Sequence, residues 1–193
     1  MFQQLGPALR MMTLLTVLTG LIYPGVLTGI CELIFPTKAN GSLIVRDSHV
    51  IGSELIGQNF TRPEYFHPRP SAAGNDGYDP TASGGSNLGP TNQKLHDRVQ
   101  AAAAQFRKEN PDFSGPIPAD ALTTSASGLD PEISIANAEA QAARVAKARG
   151  VSPEVMQSLL SATTERRELG FLGESRINVL KLNLMLDAQY PKR

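Results

Sequence analysis

The 193-residue sequence has no tryptophan, three histidines and a single cysteine, Cys31. One cysteine excludes a disulfide within the chain and a cysteine-based metal cluster. The histidines are scattered without the spacing of metal ligands, at His49, His67 and His96. No Gly-x-Ser-x-Gly and no His-Glu-x-x-His motif occurs either. The sequence therefore predicts neither a catalytic site nor a metal site.

The chain also has no net charge, since 18 basic residues balance 18 acidic ones. A nucleic-acid-binding surface needs a surplus of basic residues, so no nucleic-acid partner is predicted. Charge is nearly absent from one long stretch close to the start. This stretch is the most informative feature of the sequence.

The stretch is an apolar run at residues 11–35, in which Glu32 is the only charged residue. As a helix it is roughly 37 Å long, and the hydrocarbon core of a bilayer is about 30 Å thick. A cleaved secretory signal is the alternative, but its apolar region has only about 7–15 residues and ends at a small-x-small cleavage site, which this run lacks. We therefore predict a tail at 1–10, a transmembrane helix at 11–35 and a further domain at 36–193.

Charge does not decide on which side of the membrane that domain lies. Arg10 and the terminal amine precede the run, and Lys38 and Arg46 follow it closely. The two sides are nearly balanced, and large domains cross membranes with little regard to such counts. Residue patterns alone leave the orientation open.

Small residues lie on two adjacent faces of the predicted span. Four of them recur every four residues, and Gly25 and Gly29 form a Gly-x-x-x-Gly pair. Helices in lipid associate where small residues let their backbones approach closely, although glycine and proline are also generally common in membrane helices. We expect these faces to pack against partner helices through Thr16, Gly20, Pro24, Gly25, Thr28 and Gly29.

The remaining chain is predicted to form one α+β domain. Its helices are indicated by apolar periodicity together with capping residues, and its strands by short β-branched runs bounded by turns. The predicted elements are a hairpin at 42–51, a strand within 54–60, a helix capped by Thr91 and ending near Asn110, a strand-like segment at 122–126, an alanine-rich helix from about Asp130 to Gly150, a helix opened by Ser152, a turn or short strand at 170–173 and a final helix opened by Asn178. Residues 180–187 also alternate as a strand would, and we choose the helix because Asn178 is a good helix cap.

A long irregular loop at 62–92 interrupts this domain, because it holds five glycines and five prolines. Its aromatic residues are unusual for a disordered linker. The glycine-rich part at 83–89 lacks the Gly-Lys-Ser/Thr ending of a phosphate-binding loop. We expect a docking loop formed by Tyr65, Phe66, His67, Arg69, Ser83, Gly84, Gly85, Ser86 and Asn87.

Several irregular motifs, spread over nearly the whole chain, resemble one family. They lie at 39–44, 55–60, 65–72, 82–88, 125–130, 143–149 and 178–187. In this order, behind one N-terminal span, they are similar to the C subunit of the bacterial Kdp-type potassium-transporting ATPase. The chain lacks the tryptophans that some relatives carry just after the span.

The resemblance implies an accessory, non-catalytic subunit of a high-affinity potassium uptake complex in the bacterial inner membrane. Its partners would be a potassium-channel-like subunit and a P-type ATP-hydrolysing subunit. Its single span would leave a periplasmic domain on the outer side, and the subunit would serve complex assembly. The family is also described as a catalytic chaperone that raises the ATP affinity of the hydrolysing subunit. No cofactor of its own is implied, and ATP would be shared, if at all, with the hydrolysing subunit.

Two other functions fit an anchored domain: a periplasmic enzyme that uses His67, or a solute-binding protein. A lone loop histidine without an orienting partner more often orders its loop than catalyses a reaction. The anchor of a free enzyme would also have no need of small-residue faces. Both observations favour the subunit.

Overall fold

The computed structural model describes residues 2–191, which fall into two compact units divided between Ile51 and Gly52. The first unit contains a helical segment that runs from Leu5 to Ile34. It consists of α1 (Leu5–Val17), a π-helical turn (Leu18–Ile22) and α2 (Tyr23–Ile34). In the described part of the chain, this is the one helix long and apolar enough to cross a membrane, which fits a membrane anchor.

The helix begins at Leu5, six residues before the predicted start of the membrane span at Met11. Pro7 does not prevent this early start, since the first turn of a helix needs no N–H donor there. At the other end, Phe35 leaves the helical conformation directly before Pro36, as expected of a residue that precedes proline.

The π-helical turn lies directly before Pro24. Proline has no N–H, so the carbonyl of Gly20 cannot receive the usual bond from position 24. The backbone N–H of Tyr23 instead bonds to the carbonyl of Leu18, five residues back, which is the π-helical pattern.

A short helix, α3 (Pro36–Ala39), and a β-hairpin follow the span. The hairpin consists of β1 (Leu43–Arg46) and β2 (His49–Ser53), as predicted. Asp47 and Ser48 between them have φ values of 51° and 64°, the left-handed geometry of tight hairpin turns. The prediction of a strand within 54–60 was wrong, because this segment is irregular. The N–H of Gly57 donates to the carbonyl of Leu129 instead of pairing with a strand.

The second unit combines helices with a small antiparallel sheet. Its helices are α4 (Gln93–Glu109), α5 (Ile135–Arg149), α6 (Pro153–Thr163) and α7 (Val179–Gln189). Its strands are β3 (Glu132–Ser134), β4 (Thr164–Glu165) and β5 (Arg176–Asn178), in the order β3-β5-β4. Ile133 and Thr164 both pair with Ile177 of the central strand. This mixed helix and strand content is that of the predicted α+β class.

Side-chain caps open all four of these helices. Asn92, Ser134, Ser152 and Asn178 each accept a hydrogen bond from a backbone N–H of the first turn. The predicted starts at Ser152 and Asn178 are confirmed, whereas the first cap is Asn92 and not Thr91.

Two further predictions were wrong. Residues 122–126 form no strand. The alanine-rich helix begins at Ile135 rather than near Asp130, because β3, directly before it, pairs with β5. Its predicted end is confirmed, since Gly150 closes α5 in the left-handed conformation with φ 67°.

The hydrophobic core lies between α5, α6, α7 and the sheet, with one residue from the long loop. Its members are Phe66, Ile133, Ala138, Val145, Ala146, Met156, Leu159, Leu160, Ile177, Val179, Leu182 and Leu186. The participation of Phe66 fixes the loop to the domain.

Candidate functional site

The loop segment around Phe66 is held by two side-chain amides from neighbouring helices. The N–H of Phe66 donates to Oδ1 of Asn183 at 2.9 Å, and Nδ2 of Asn183 donates back to the Phe66 carbonyl at 3.0 Å. Gln141 pairs in the same way with the N–H and carbonyl of His67, at 2.7 and 3.1 Å. Both amides are buried, so they satisfy loop backbone groups as a neighbouring strand would.

Two arginines of α5 bind the loop just before this point. Arg144 donates from Nη1 to the carbonyls of Pro63 and Tyr65, at 2.6 and 2.9 Å. Burial is the main factor that lowers the pKa of Arg144, although an arginine remains protonated. Arg149 donates from Nε to the carbonyl of Glu64 at 2.9 Å.

Arg149 also links the loop to the end of α7. Its Nη2 lies 2.7 Å from Oδ1 of Asp187, and its side chain is 1% exposed. The hydroxyl of Tyr65 donates to the other oxygen of Asp187 at 3.0 Å. The guanidinium lies 4.8 Å from the centre of the Tyr65 ring, within the range of a cation–π interaction. These contacts make the loop an ordered part of the domain.

The middle of the loop is fixed around Ser71 and Tyr78. The Ser71 hydroxyl accepts from the N–H of Tyr78 at 2.9 Å and donates to the carbonyl of Gly128 at 2.6 Å. The Tyr78 hydroxyl donates to the carbonyl of Arg69 at 2.8 Å. Burial is the main cause that raises the pKa of Tyr78, so this hydroxyl keeps its proton and stays a donor at neutral pH.

The glycine-rich part of the loop lies against residues 125–128. The N–H of Gly84 donates to the carbonyl of Ser127 at 2.8 Å. A Cβ atom at Gly85 would lie 2.8 Å from the carbonyl oxygen of Ala126, so only glycine allows this approach. The glycines serve backbone packing within the domain, and the Gly84 amide is already engaged.

His67 contacts protein acceptors through both of its ring nitrogens. Nδ1 lies 3.2 Å from Oε2 of Glu109 on α4, and Nε2 lies 3.1 Å from the carbonyl oxygen of Arg62. The hydrogen bond from His67 is the main factor that lowers the pKa of Glu109. With both nitrogens engaged, the geometry fits a histidine that orders the loop.

A cleft of about 410 Å³ lies between the loop and α4. We call it the loop cleft. Aromatic and charged side chains line it together, among them Phe60, Arg69, Asp76, Tyr78, Phe106 and Glu109. Among the described residues, no group of three or more histidine, cysteine, aspartate or glutamate side chains is placed to hold a metal ion.

The structure divides the predicted docking residues into two groups. The side chain of Phe66 is fully buried in the core, and Tyr65, His67 and Arg69 are half-buried. Ser83 and Asn87 are exposed, whereas Gly84, Gly85 and Ser86 are half-buried. Most of these residues therefore shape the loop from within the domain.

The predicted helix-packing residues lie apart from this site, on the span. Thr16, Gly20, Pro24, Gly25, Thr28 and Gly29 are all exposed. A Cβ atom at Gly20, Gly25 or Gly29 would meet nothing within 4 Å. These positions are open to a neighbour outside the chain.

The sequence did not reveal four residues that build the site: Gln141, Arg144, Arg149 and Asn183. Arg144 and Arg149 belong to a motif that carried the family resemblance, at 143–149, and Asn183 belongs to another, at 178–187. These motifs lie on α5 and α7, but nothing in their local sequence pattern shows that their side chains bind the loop.

Known proteins match this chain over almost its full length. A sequence model described as KdpC: K+-transporting ATPase, c chain, matches residues 5–188. The potassium-transporting ATPase KdpC subunit of Myxococcus xanthus is 55% identical over 98% of this chain and 90% of its own length. The KdpC subunit of Caulobacter vibrioides is 56% identical over 99% of this chain and 96% of its own length. The KdpC subunit of Koribacter versatilis is 53% identical over 99% of this chain and 97% of its own length.

Proposed function

Because the chain belongs to the KdpC family of K+-transporting ATPase c chains, as its motifs predicted, we propose that it is an accessory, non-catalytic subunit of a high-affinity, ATP-driven potassium uptake complex. Its partners in this proposal are a potassium-channel-like subunit and a P-type ATP-hydrolysing subunit, and its role is to assemble and stabilise the complex. The complex lies in the bacterial inner membrane.

The helix Leu5–Ile34 is the observation that carries the proposal. All of its residues are exposed, and none is buried by the rest of the described chain. Its glycines at positions 20, 25 and 29 leave open space on the helix surface. Transmembrane helices associate through such small residues, where backbone approach gives close van der Waals packing. A subunit of a membrane complex would use these glycines to pack its helix closely against a partner helix.

The domain that follows the span belongs, in this proposal, on the outer side of the membrane, with 1–10 as a short tail, 11–35 within the membrane and 36–193 outside. Fusions at the C-terminus test the orientation. We expect an alkaline phosphatase fusion to be active and an ordinary green fluorescent protein fusion to stay dark. The reverse pattern would place the domain in the cytoplasm.

An effect on the ATP affinity of the hydrolysing subunit would be exerted through subunit contacts. The geometry supports this route, because the glycine-rich segment uses the Gly84 amide and the close approach at Gly85 for its own packing. The chain then needs no cofactor of its own. Calorimetry with the purified full-length chain should detect no ATP binding in the micromolar range, and micromolar affinity would contradict this part of the proposal.

Co-expression of the two partner subunits with and without this chain tests the proposal as a whole. With the chain present, detergent extraction should yield a stable complex with potassium-stimulated ATP hydrolysis. Without it, the partners should separate on size exclusion and lose that activity. A fully active complex that lacks this chain would overturn the proposed role.

A further inference from the structure

We propose that the loop cleft receives a basic side chain from a polypeptide segment of a partner subunit. This inference rests on the proposed function, because it names the site and the chemistry of one subunit contact. It follows from three properties of the cleft: fixed walls, acidic lining residues and an aromatic lining.

The walls of the cleft are fixed before any partner arrives. His67 joins the loop to Glu109 of α4, and Gln141 holds the loop backbone from α5. The ring of Tyr78 is tied through its hydroxyl to the Arg69 carbonyl. Binding to such a preformed site loses little conformational entropy, and the volume is within the range of ordinary binding pockets, about 300–1,000 Å³.

The charge of the cleft favours a cation. The guanidinium of Arg69 is matched by Asp130, with Nη1 2.9 Å from Oδ2. The Glu109 carboxylate accepts from Gln105 at 2.6 Å and faces the ring of His67, and its lowered pKa keeps it ionised at neutral pH. Asp76 forms no ion pair with any residue that the structure describes. Asp76 and Glu109 are therefore two acidic residues in the lining of the cleft, against one arginine that already has its own carboxylate partner.

Aromatic rings add to this preference. Phe60, Tyr78 and Phe106 all line the cleft. The face of an aromatic ring attracts ammonium and guanidinium groups, and its apolar surface suits the methylene stem of lysine or arginine. A small hydrated cation would gain nothing from the apolar surface.

The proposed function makes a polypeptide the carrier of the charge, because the partners of this chain in that proposal are protein subunits. A lysine or arginine of such a segment supplies both the cation and the apolar methylene stem that the lining favours.

Photo-crosslinking in the assembled complex tests the occupant directly. Thr61 lines the cleft and is exposed, so Thr61→p-benzoylphenylalanine places the crosslinker at the rim. The control, Gln157→p-benzoylphenylalanine, lies on the exposed surface of α6. After irradiation and digestion, mass spectrometry should identify a partner segment with a lysine or arginine within a few residues of the crosslink, from Thr61 but not from Gln157.

Charge reversal at the rim provides the second measurement. Asp76→Lys should lower the recovery of the complex about tenfold at low salt, and Asp76→Asn should lower it less, because like charges at an interface are strongly unfavourable. Glu139→Lys is the matched control, since Glu139 is exposed on α5. Reversing the charge of the crosslinked partner residue should restore assembly with Asp76→Lys.

The outcomes separate this inference from the proposed function. If the complex assembles but Thr61 crosslinks to no partner segment, to a segment without a basic residue, or only to lipid, the cleft assignment is wrong and the subunit role stands. Equal recovery of Asp76→Lys and Glu139→Lys would also overturn the assignment. If the unmodified chain forms no complex, the proposed function itself fails.

Discussion

At the scale of single residues, the loop owes its order to side chains that replace a missing strand partner. The backbone of Phe66 and His67 is buried beside helices, where no sheet is available to pair with it. Asn183 and Gln141 each provide a donor and an acceptor to one of these residues. An unpaired buried N–H or carbonyl would be expensive, so these amides are a condition of the loop's conformation.

The first prediction removes one of these amides. Asn183→Leu keeps a similar side-chain size but leaves the N–H and carbonyl of Phe66 unpaired, and we expect a loss of about 2–5 kcal/mol in the free energy of unfolding. Urea unfolding of the full-length chain in detergent, followed by circular dichroism, measures it. Gln157→Leu, at an exposed helix position, should change stability by less than about 0.5 kcal/mol. Equal effects of both substitutions would refute the role of Asn183.

The second prediction concerns pH and the Glu109 carboxylate. Its pKa is lowered from the ordinary value of 4.5, mainly by the hydrogen bond from His67. A carboxyl group with a lowered folded-state pKa stabilises the fold above its unfolded pKa, and this contribution is lost as the pH falls through the folded pKa. Glu109→Gln should therefore reduce stability most above pH ~5, with a difference that shrinks toward pH ~3.

Unfolding of both proteins in detergent over this pH range gives the difference directly. Glu139→Gln, at an exposed position of α5, serves as the control. A difference between wild-type chain and Glu109→Gln that stays constant from pH ~6 to pH ~3 would show that the carboxylate is not stabilised by its contacts.

Residue identities allowed only part of the site to be predicted. The aromatic residues of the loop indicated order, because linkers rarely carry them, and the structure confirms an ordered loop. Glu109 could not be foreseen as the partner of His67, since 42 residues separate them and only the packed helices bring them together. The same holds for Arg149, which reaches the carbonyl of Glu64.

At the scale of elements, local chemistry predicted the ends of helices better than it predicted strands. A helix start or end is indicated by only one or two residues, a capping side chain or a glycine. The predictions at Ser152, Asn178 and Gly150 are all confirmed. β3 has only three residues and exists because β5 pairs with it. Such a distant pairing leaves no periodic pattern in three residues, so the sequence predicts 132–134 as part of the helix that follows.

The third prediction tests the end of α5. Gly150 has φ 67°, and a Cβ atom there would meet nothing within 4 Å. Gly150→Ala therefore adds backbone strain alone, and we expect it to lower the free energy of unfolding by about 1 kcal/mol. Gly89 also has open space around it but no left-handed φ, so Gly89→Ala should be neutral or slightly stabilising. An equal effect of both substitutions in urea unfolding would contradict this explanation.

At the scale of the whole molecule, the chain combines an apolar helix whose residues are all exposed with a domain whose long loop is held by hydrogen bonds to its own helices. Composition and hydrophobic length predicted the first feature, and the family motifs predicted the protein's class. The inner contacts of the loop depend on the tertiary fold and could not be read from the sequence. In the described part of the chain, Leu5–Ile34 is the one long apolar helix, and all of its residues are exposed.

The most direct test of the subunit role replaces two glycines of this helix. Gly25→Leu with Gly29→Leu fills space that is empty within the chain itself, so the chain should still insert into the membrane. Each interhelical contact is worth on the order of 1 kcal/mol, which is why the double substitution is the informative variant. Val26→Leu, at a position that already carries a large exposed side chain, is the control.

Co-purification with the channel-like and ATP-hydrolysing subunits from detergent-extracted membranes is the measurement. The double variant should insert normally but recover the partners at least about fivefold less well than the wild-type chain, as expected for the loss of roughly 1–2 kcal/mol. Val26→Leu should recover them fully. Wild-type recovery by the double variant would contradict the account and show that the span is only an anchor.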